Sequence, residues 1–348
     1  MFEKVRNFLE KEIQLNHIPG ATLQVAQQGK LLLQETFGFQ RVFPNKEPMK
    51  ITTVFDLASL TKVIATLPVV LKLIENGELH LDDRVSFFLP SFSGGGKEEI
   101  RIKHLLTHTS GLPAHRHYYE KKLLVGEIME SIYEEKLVAP PGKQVVYSDL
   151  GFITLYHLIE KITSVPYARF VEEEILAPLE MNETGFHLNY EKTRYAATEY
   201  SEELRDYKQG IVHDDNTESM GGISGHAGLF STVTDLTNFA EMIEQGGYFR
   251  GKRILSEQTL AVSQKNYTPF DSEYRGLGWI LNSPNFSSCG DLFSQGSFGH
   301  TGFTGTSIWF DPEIQLRVIL LTNRVHFGRK DPIIRLRPRL HNLIVSTL

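Results

Sequence analysis

The sequence predicts an α/β chain of the α+β kind: one antiparallel sheet built from both termini, flanked by helices, with a mainly helical region inserted between. Three observations predict it. Strand-like runs gather near residues 21–39, others gather near 306–321, and apolar residues between them recur at helical spacing. The chain has 348 residues, 41% hydrophobic and 22% charged, which excludes wholesale disorder. Lys plus Arg is 36 and Asp plus Glu is 42, a formal charge of −6. That acidic balance argues against nucleic acid, which needs a basic patch. The single cysteine, Cys289, excludes an intrachain disulfide and a cysteine-rich zinc site.

In chain order, Phe2, Val5, Phe8, Leu9 and Ile13 recur at helical spacing with charges between them. This opening segment lacks the apolar stretch of about 7–15 residues that a signal peptide needs. No run reaches the roughly 18 apolar residues of a membrane span. A cytoplasmic location is therefore expected. Ala21–Gln27 and Lys30–Phe39 read as strands joined by a tight hairpin at Gln28-Gly29. Ser59–Glu75 reads as one long helix stopped at Asn76-Gly77. Asp149–Ile162, Tyr167–Ile175 and Asp235–Glu244 are further helical pieces. Thr306–Phe310 and Leu316–Leu321 flank the turn Asp311-Pro312-Glu313. A helical tail, Asp331–Leu348, closes the chain, with Pro338 expected to break it. The expected organisation joins residues 1–58 and 230–348 in a sheet-containing part, with 59–229 as the helical insertion.

One short segment carries chemistry. Ser59 and Lys62 stand at i and i+3, so a helix puts them on one face. The plain alternative is that Ser59 caps the helix. A serine hydroxyl is a weak nucleophile unless a neighbouring base takes its proton. A lysine serves as that base only if its pKa falls, for instance through burial beside Val63, Ile64 and Leu67.

Ser59-Leu60-Thr61-Lys62, Tyr147-Ser148-Asp149 and His300-Thr301-Gly302 follow one another along the chain. This order resembles the serine β-lactamase and penicillin-binding-protein family, in its class C β-lactamase and esterase branch. The segments at 100–113, 140–151 and 175–184 add to the resemblance. It implies a β-lactamase/transpeptidase-like fold, with helices on both faces of the sheet and Tyr147 in the helical region. It implies that Ser59 attacks a carbonyl and forms an acyl-enzyme. Lys62 and Tyr147 would share proton transfer, with either as the base. An ammonium beside a tyrosine favours the phenolate. The backbone N–H groups of Ser59 and Phe303 would form the oxyanion hole. Asp149, His300, Thr301 and Gly302 would contact substrate, with Gly302 leaving room for it along the strand edge.

Two residues depart from the β-lactamase pattern. Asp149 stands where class C enzymes have asparagine, and a carboxylate cannot donate to an acyl-side carbonyl. His300 stands where they have lysine, and imidazole is mostly neutral at pH 7. Both weaken the case for an efficient β-lactamase. A further stretch, Val212–Asn216, precedes a loop with glycines at 221, 222, 225 and 228. It resembles a branch associated with cell-wall fragment turnover. Its His213 and Asp214 are candidate substrate contacts in the cleft wall; equally, the loop only braces the two halves. His213, Asp214 and Asp215 lack helical spacing and make a weak metal set. His104 and His108 read as a structural turn, and His115 and His117 as solvated or on the cleft rim. The expectation is a serine hydrolase without metal or cofactor, acting on a small-molecule or peptide substrate. Peptidoglycan-derived peptides or muropeptides lead, ahead of a carboxylesterase, then a β-lactamase or DD-carboxypeptidase. A non-catalytic binding module is disfavoured because Ser59, Lys62 and Tyr147 are all present.

Overall fold

The computed structural model describes residues 1–285 and 287–348. Its main sheet has seven strands, β1 (Gly20–Gln27), β2 (Lys30–Arg41), β3 (Glu47–Pro48), β4 (Ile280–Leu281), β5 (Phe298–Thr301), β6 (Ser307–Asp311) and β7 (Leu316–Thr322). They lie in the order β4-β5-β6-β7-β1-β2-β3, every neighbouring pair antiparallel. The two termini therefore meet at the sheet centre, where Leu23 faces Leu320 and Val25 faces Val318. The hairpin turn falls at Gln28-Gly29, both with positive φ.

Helix α1 (Glu3–Gln14) and the C-terminal helix cover one face of the sheet. That face buries Val5, Leu9, Leu23, Val318, Leu320 and Leu336 in one core. The opposite face buries Ile319 and Leu321 with Val63 and Leu67 in a larger core. β7 feeds both cores because successive side chains point to opposite faces. Each such buried aliphatic side chain contributes about 1.5–3 kcal/mol. The second core continues into the helical region through α2 (Leu67–Glu75), α3 (Asp149–Thr163) and α4 (Val233–Glu244).

Two expectations from sequence need correction. The C-terminal helix α5 (Pro332–Val345) runs unbroken through Pro338. Burial of Ile333, Leu336, Leu340 and Ile344 against the sheet outweighs the cost of an interior proline, about 3 kcal/mol. The segment from Ser59 is also not one regular helix. Ala58–Leu60 is a 3₁₀ turn, Lys62–Thr66 is a π-helical turn, and only then does α2 begin. Leu67 N–H reaches back to Lys62 O, and Pro68 next to it has no N–H to give the carbonyl four residues back. A wide turn accommodates such a proline. Among the described residues, no helix is long and apolar enough to cross a membrane.

Candidate active site

The backbone at Ser59 is shaped by its neighbours. Ala58 takes a positive φ of 47°, a strained value for a residue with a Cβ. Asp56 holds it there: one carboxylate oxygen accepts the Ala58 N–H at 2.8 Å and the other accepts the His213 N–H at 2.6 Å. Phe55–Asp56 is itself paired with Phe230–Ser231. The result presents Ser59 to a cleft of about 330 Å³, lined by Tyr147, Asp149, Asp214, Phe303 and Arg329 among others.

Lys62 lies fully buried behind Ser59. Its ammonium donates to Ser59 Oγ at 3.0 Å, Asp149 Oδ1 at 2.8 Å and the His226 carbonyl at 3.2 Å. Three donors meet three acceptors, so the group is satisfied as a cation. Burial alone would depress its pKa, but Asp149 and then Tyr147 outweigh burial and raise it. A lowered pKa was the condition for Lys62 to serve as base, and the shift runs the other way because burial there comes with a carboxylate. Burial likewise pushes Asp149 up, yet the Lys62 charge and the His115 hydrogen bond hold it well below the usual carboxylate range.

The Tyr147–Asp149 segment is pinned by the turn at 108–114. The Ser148 N–H donates to His108 Nδ1, Ser148 Oγ donates to the Pro113 carbonyl, and the Asp149 N–H donates to the Ala114 carbonyl. The Tyr147 ring rests 4.3 Å from the His108 ring, centroid to centroid, and 6.1 Å from that of His300. Lys62 Nζ lies 4.9 Å from the Tyr147 ring centroid. His108 is therefore a structural support, buried and held neutral by that burial.

His300 and Thr301 lie at the end of β5. His300 is buried, and its Nδ1 donates to the Thr301 carbonyl at 2.9 Å. Burial, then the charges of Lys62 and Arg275, push its pKa well down, so it is neutral at pH 7. Gly302 has a reason other than the expected one. A Cβ there would meet Thr306 Oγ1 at 2.2 Å and the Leu57 carbonyl at 2.5 Å, so protein, not substrate, demands glycine. The following turn is clamped by Arg337, which donates to the Gly302 and Thr306 carbonyls, each at 2.9 Å. Burial, then Arg324, lowers the Arg337 pKa to about 9. Phe303 is exposed, stacked on His213, and its carbonyl accepts from Arg324 Nε. The N–H groups of Ser59 and Phe303 have no hydrogen-bond partner among the described residues.

The 212–232 stretch both lines the cleft and braces it. His213 bonds Glu199 through Nε2 at 3.0 Å. Asp214 caps the short helix Asp215–Ser219 by accepting the Thr217 N–H, and it meets His226 Nε2 at 3.0 Å. Ser224 Oγ bonds the other nitrogen of His226 at 2.8 Å. Ser224 is wholly buried, so this Ser-His-Asp row does not open its hydroxyl to the cleft. It fixes His226, whose carbonyl is the third acceptor of Lys62. His213, Asp214 and Asp215 thus turn to separate partners. Among the described residues, no three or more His, Cys, Asp or Glu side chains are grouped to hold a metal ion.

Sequence reasoning missed three residues here, Asp56, His226 and Arg337, and placed His115 on the cleft rim without its tie to Asp149. Arg337 had a legible signal, a cation on the apolar stripe of α5 between Leu336 and Leu340. Asp56 had another, a carboxylate just ahead of a helix start. His226 had none, because its carbonyl meets Lys62 from 164 residues away.

The chain resembles known proteins throughout its length. A protein of Escherichia coli (strain K12) named "Putative D-alanyl-D-alanine carboxypeptidase" is 31% identical, over 90% of this chain and 80% of that protein. The octameric penicillin-binding protein homologue from Pyrococcus abyssi shares the fold with a TM-score of 0.78 and 25% identity, covering 99% of this chain and 77% of that one. EstCE1, described as a hydrolase with promiscuous acyltransferase activity, has a TM-score of 0.80 at 21% identity, covering 99% and 98%. The Beta-lactamase family profile matches residues 5–342. The chain belongs to the beta-lactamase family and is a serine hydrolase related to β-lactamases and penicillin-binding proteins.

Proposed function

We propose that the protein cleaves amide or ester bonds through an acyl-enzyme on Ser59, with peptidoglycan-derived peptides or muropeptides as substrates. The observation that carries this reading is the satisfied Lys62 ammonium, 3.0 Å from Ser59 Oγ and close to Tyr147. An ammonium that donates to the nucleophile cannot also accept its proton, so Tyr147 is the base. Ser59 Oγ attacks the carbonyl carbon while its proton passes to Tyr147, whose phenolate form is paired with the Lys62 charge. The carbonyl oxygen becomes an oxyanion between the free N–H groups of Ser59 and Phe303. Collapse expels the leaving nitrogen or oxygen, which takes the proton from Tyr147. Water then attacks the acyl group by the same route, and Ser59 regains its proton. Asp149 keeps Lys62 charged, and Thr301 with the neutral His300 forms the strand edge beside the acyl group. His213 and Asp214 are wall and brace.

The carboxypeptidase named among the relatives supports a cell-wall peptide and favours a second reading, removal of a terminal D-alanine. Labelling with a fluorophosphonate, read by intact mass, tests the mechanism: wild type gains one adduct and Ser59→Ala gains none. Turnover of a MurNAc-peptide, a D-Ala-D-Ala peptide, a p-nitrophenyl ester and nitrocefin then ranks the substrates. Ser59→Ala retaining most activity would overturn the acyl-enzyme.

A further inference from the structure

Asp149 has two oxygens and uses them differently. Oδ1 takes the Lys62 ammonium at 2.8 Å, and Oδ2 faces His115 Nδ1 at 3.4 Å. A continuous row therefore runs from Ser59 Oγ through Lys62 and Asp149 to an imidazole whose side chain is 38% exposed on the cleft rim. Lys62 is wholly buried and the Asp149 side chain 18% exposed, which leaves His115 as the most exposed ionisable group of the row.

We propose that His115 is a positioning residue of the reaction, acting on Lys62 through Asp149. The proposal rests on the acyl-enzyme reading above. When His115 is an imidazolium, the carboxylate is shared between two cations. More of the Lys62 charge then acts on Ser59 and on the Tyr147 phenolate. When His115 is neutral, Asp149 is devoted to Lys62 and offsets its charge more fully.

The surroundings set the direction. The Asp149 hydrogen bond comes first in raising the His115 pKa above its ordinary value, against burial, and the Asp149, Asp214 and Asp215 charges add to it. Asp214 is itself engaged by His226, Asp215 by Arg329 and Lys208, and the His117 ring stands 5.3 Å from His115. Asp149 is thus the carboxylate that His115 addresses directly. As pH rises through this titration, His115 loses its charge and the reaction slows.

The test is kcat/KM for a neutral p-nitrophenyl ester from pH 5.5 to 9, in wild type, His115→Gln and His115→Arg, each with Asp149 and with Asp149→Asn. Wild type is expected to fall about two- to fivefold through the His115 titration, the factor that a partly exposed ion pair supplies. His115→Gln stays at the lower level without that step, and His115→Arg stays at the higher level without it. In the Asp149→Asn background the Gln and Arg variants become equal. A step that survives in His115→Gln would overturn the proposal. So would equal rates for Gln and Arg beside Asp149, or an undiminished difference between them once Asp149→Asn is added. Fluorophosphonate adducts on Ser59 in every variant keep the two readings apart: the His115 proposal then fails while the acyl-enzyme stands. A wild type that turns over ester without acylating Ser59 removes both.

Discussion

Replacing Asp149 with asparagine separates the charge of the Lys62 pair from its shape. The amide is isosteric and keeps an acceptor near Lys62 Nζ, now 2.8 Å from the carboxylate, but the negative charge is gone. Lys62 is fully buried and the Asp149 side chain is 18% exposed, so solvent screens the loss poorly. Breaking a buried pair costs about 3–5 kcal/mol, and the retained acceptor places this change near the lower end, about 3 kcal/mol. For a chain of 348 residues, that lowers Tm by about 4 °C. The pH dependence is more diagnostic. In wild type the Asp149 pKa is held down, so its contribution is complete above the ordinary carboxylate pKa, about 4, and is lost only in strong acid. The Lys62 pKa is raised, so its contribution persists up to the ordinary lysine pKa, about 10.4, and is lost above it. Between those limits the pair adds no slope. In Asp149→Asn burial dominates at Lys62 and depresses its pKa, so the unfolded chain binds more protons there and stability rises with pH. Scanning calorimetry between pH 6 and 9 reads both effects. A variant that melts within about 1 °C of wild type at pH 7, with no added slope, would refute the reasoning.

Other outcomes follow from the same geometry. Tyr147→Phe should slow acylation by about 10²–10⁴, measured by stopped-flow with an activated ester, with little change in substrate affinity. Gly302→Ala should cost about 1–3 kcal/mol through overpacking against Thr306 and Leu57, and should cut kcat more than it raises KM; a normal Tm would show that the turn has room. Wild type should hydrolyse nitrocefin with a lower kcat/KM than an activated ester, because neutral His300 offers a carboxylate no full charge. His300→Lys, which the sequence alone suggests would recruit such substrates, places an ammonium beside Lys62, Arg275 and Arg337; thermal melts should show it destabilised.

The outline of the fold was legible because its signals are local. Alternation in 21–27 and 316–321, a Gln-Gly turn and helical spacing in 149–162 each depend on residues close in sequence. β4 was not legible, since two residues carry no period. The π turn at Lys62–Thr66 escaped too, because tertiary packing decides how a proline-containing segment winds. At the site, spacing pointed to Ser59 and Lys62 and the family resemblance to Tyr147, and the structure brings the three together beside one cleft. The charge state of Lys62 was not readable: the sequence shows apolar neighbours, whereas Asp149 and the His226 carbonyl arrive from 87 and 164 residues away.

The meeting of both termini at the sheet centre has a consequence for how activity arises. The Thr322 hydroxyl donates to the Gly20 carbonyl, 302 residues away. Closing so long a loop is entropically late, and a sheet dominated by such pairings folds slowly. On the ribosome, Ser59 and Lys62 emerge early and Tyr147 midway, while the Phe303 turn and the α5 clamp at Arg337 come last. Until β7 arrives, β1 keeps an open edge, which invites pairing with another chain. Under the proposed mechanism, a nascent or truncated chain would hold Ser59, Lys62 and Tyr147 but lack the Phe303 N–H. Turnover becomes a report that the C-terminal strands and helix have docked.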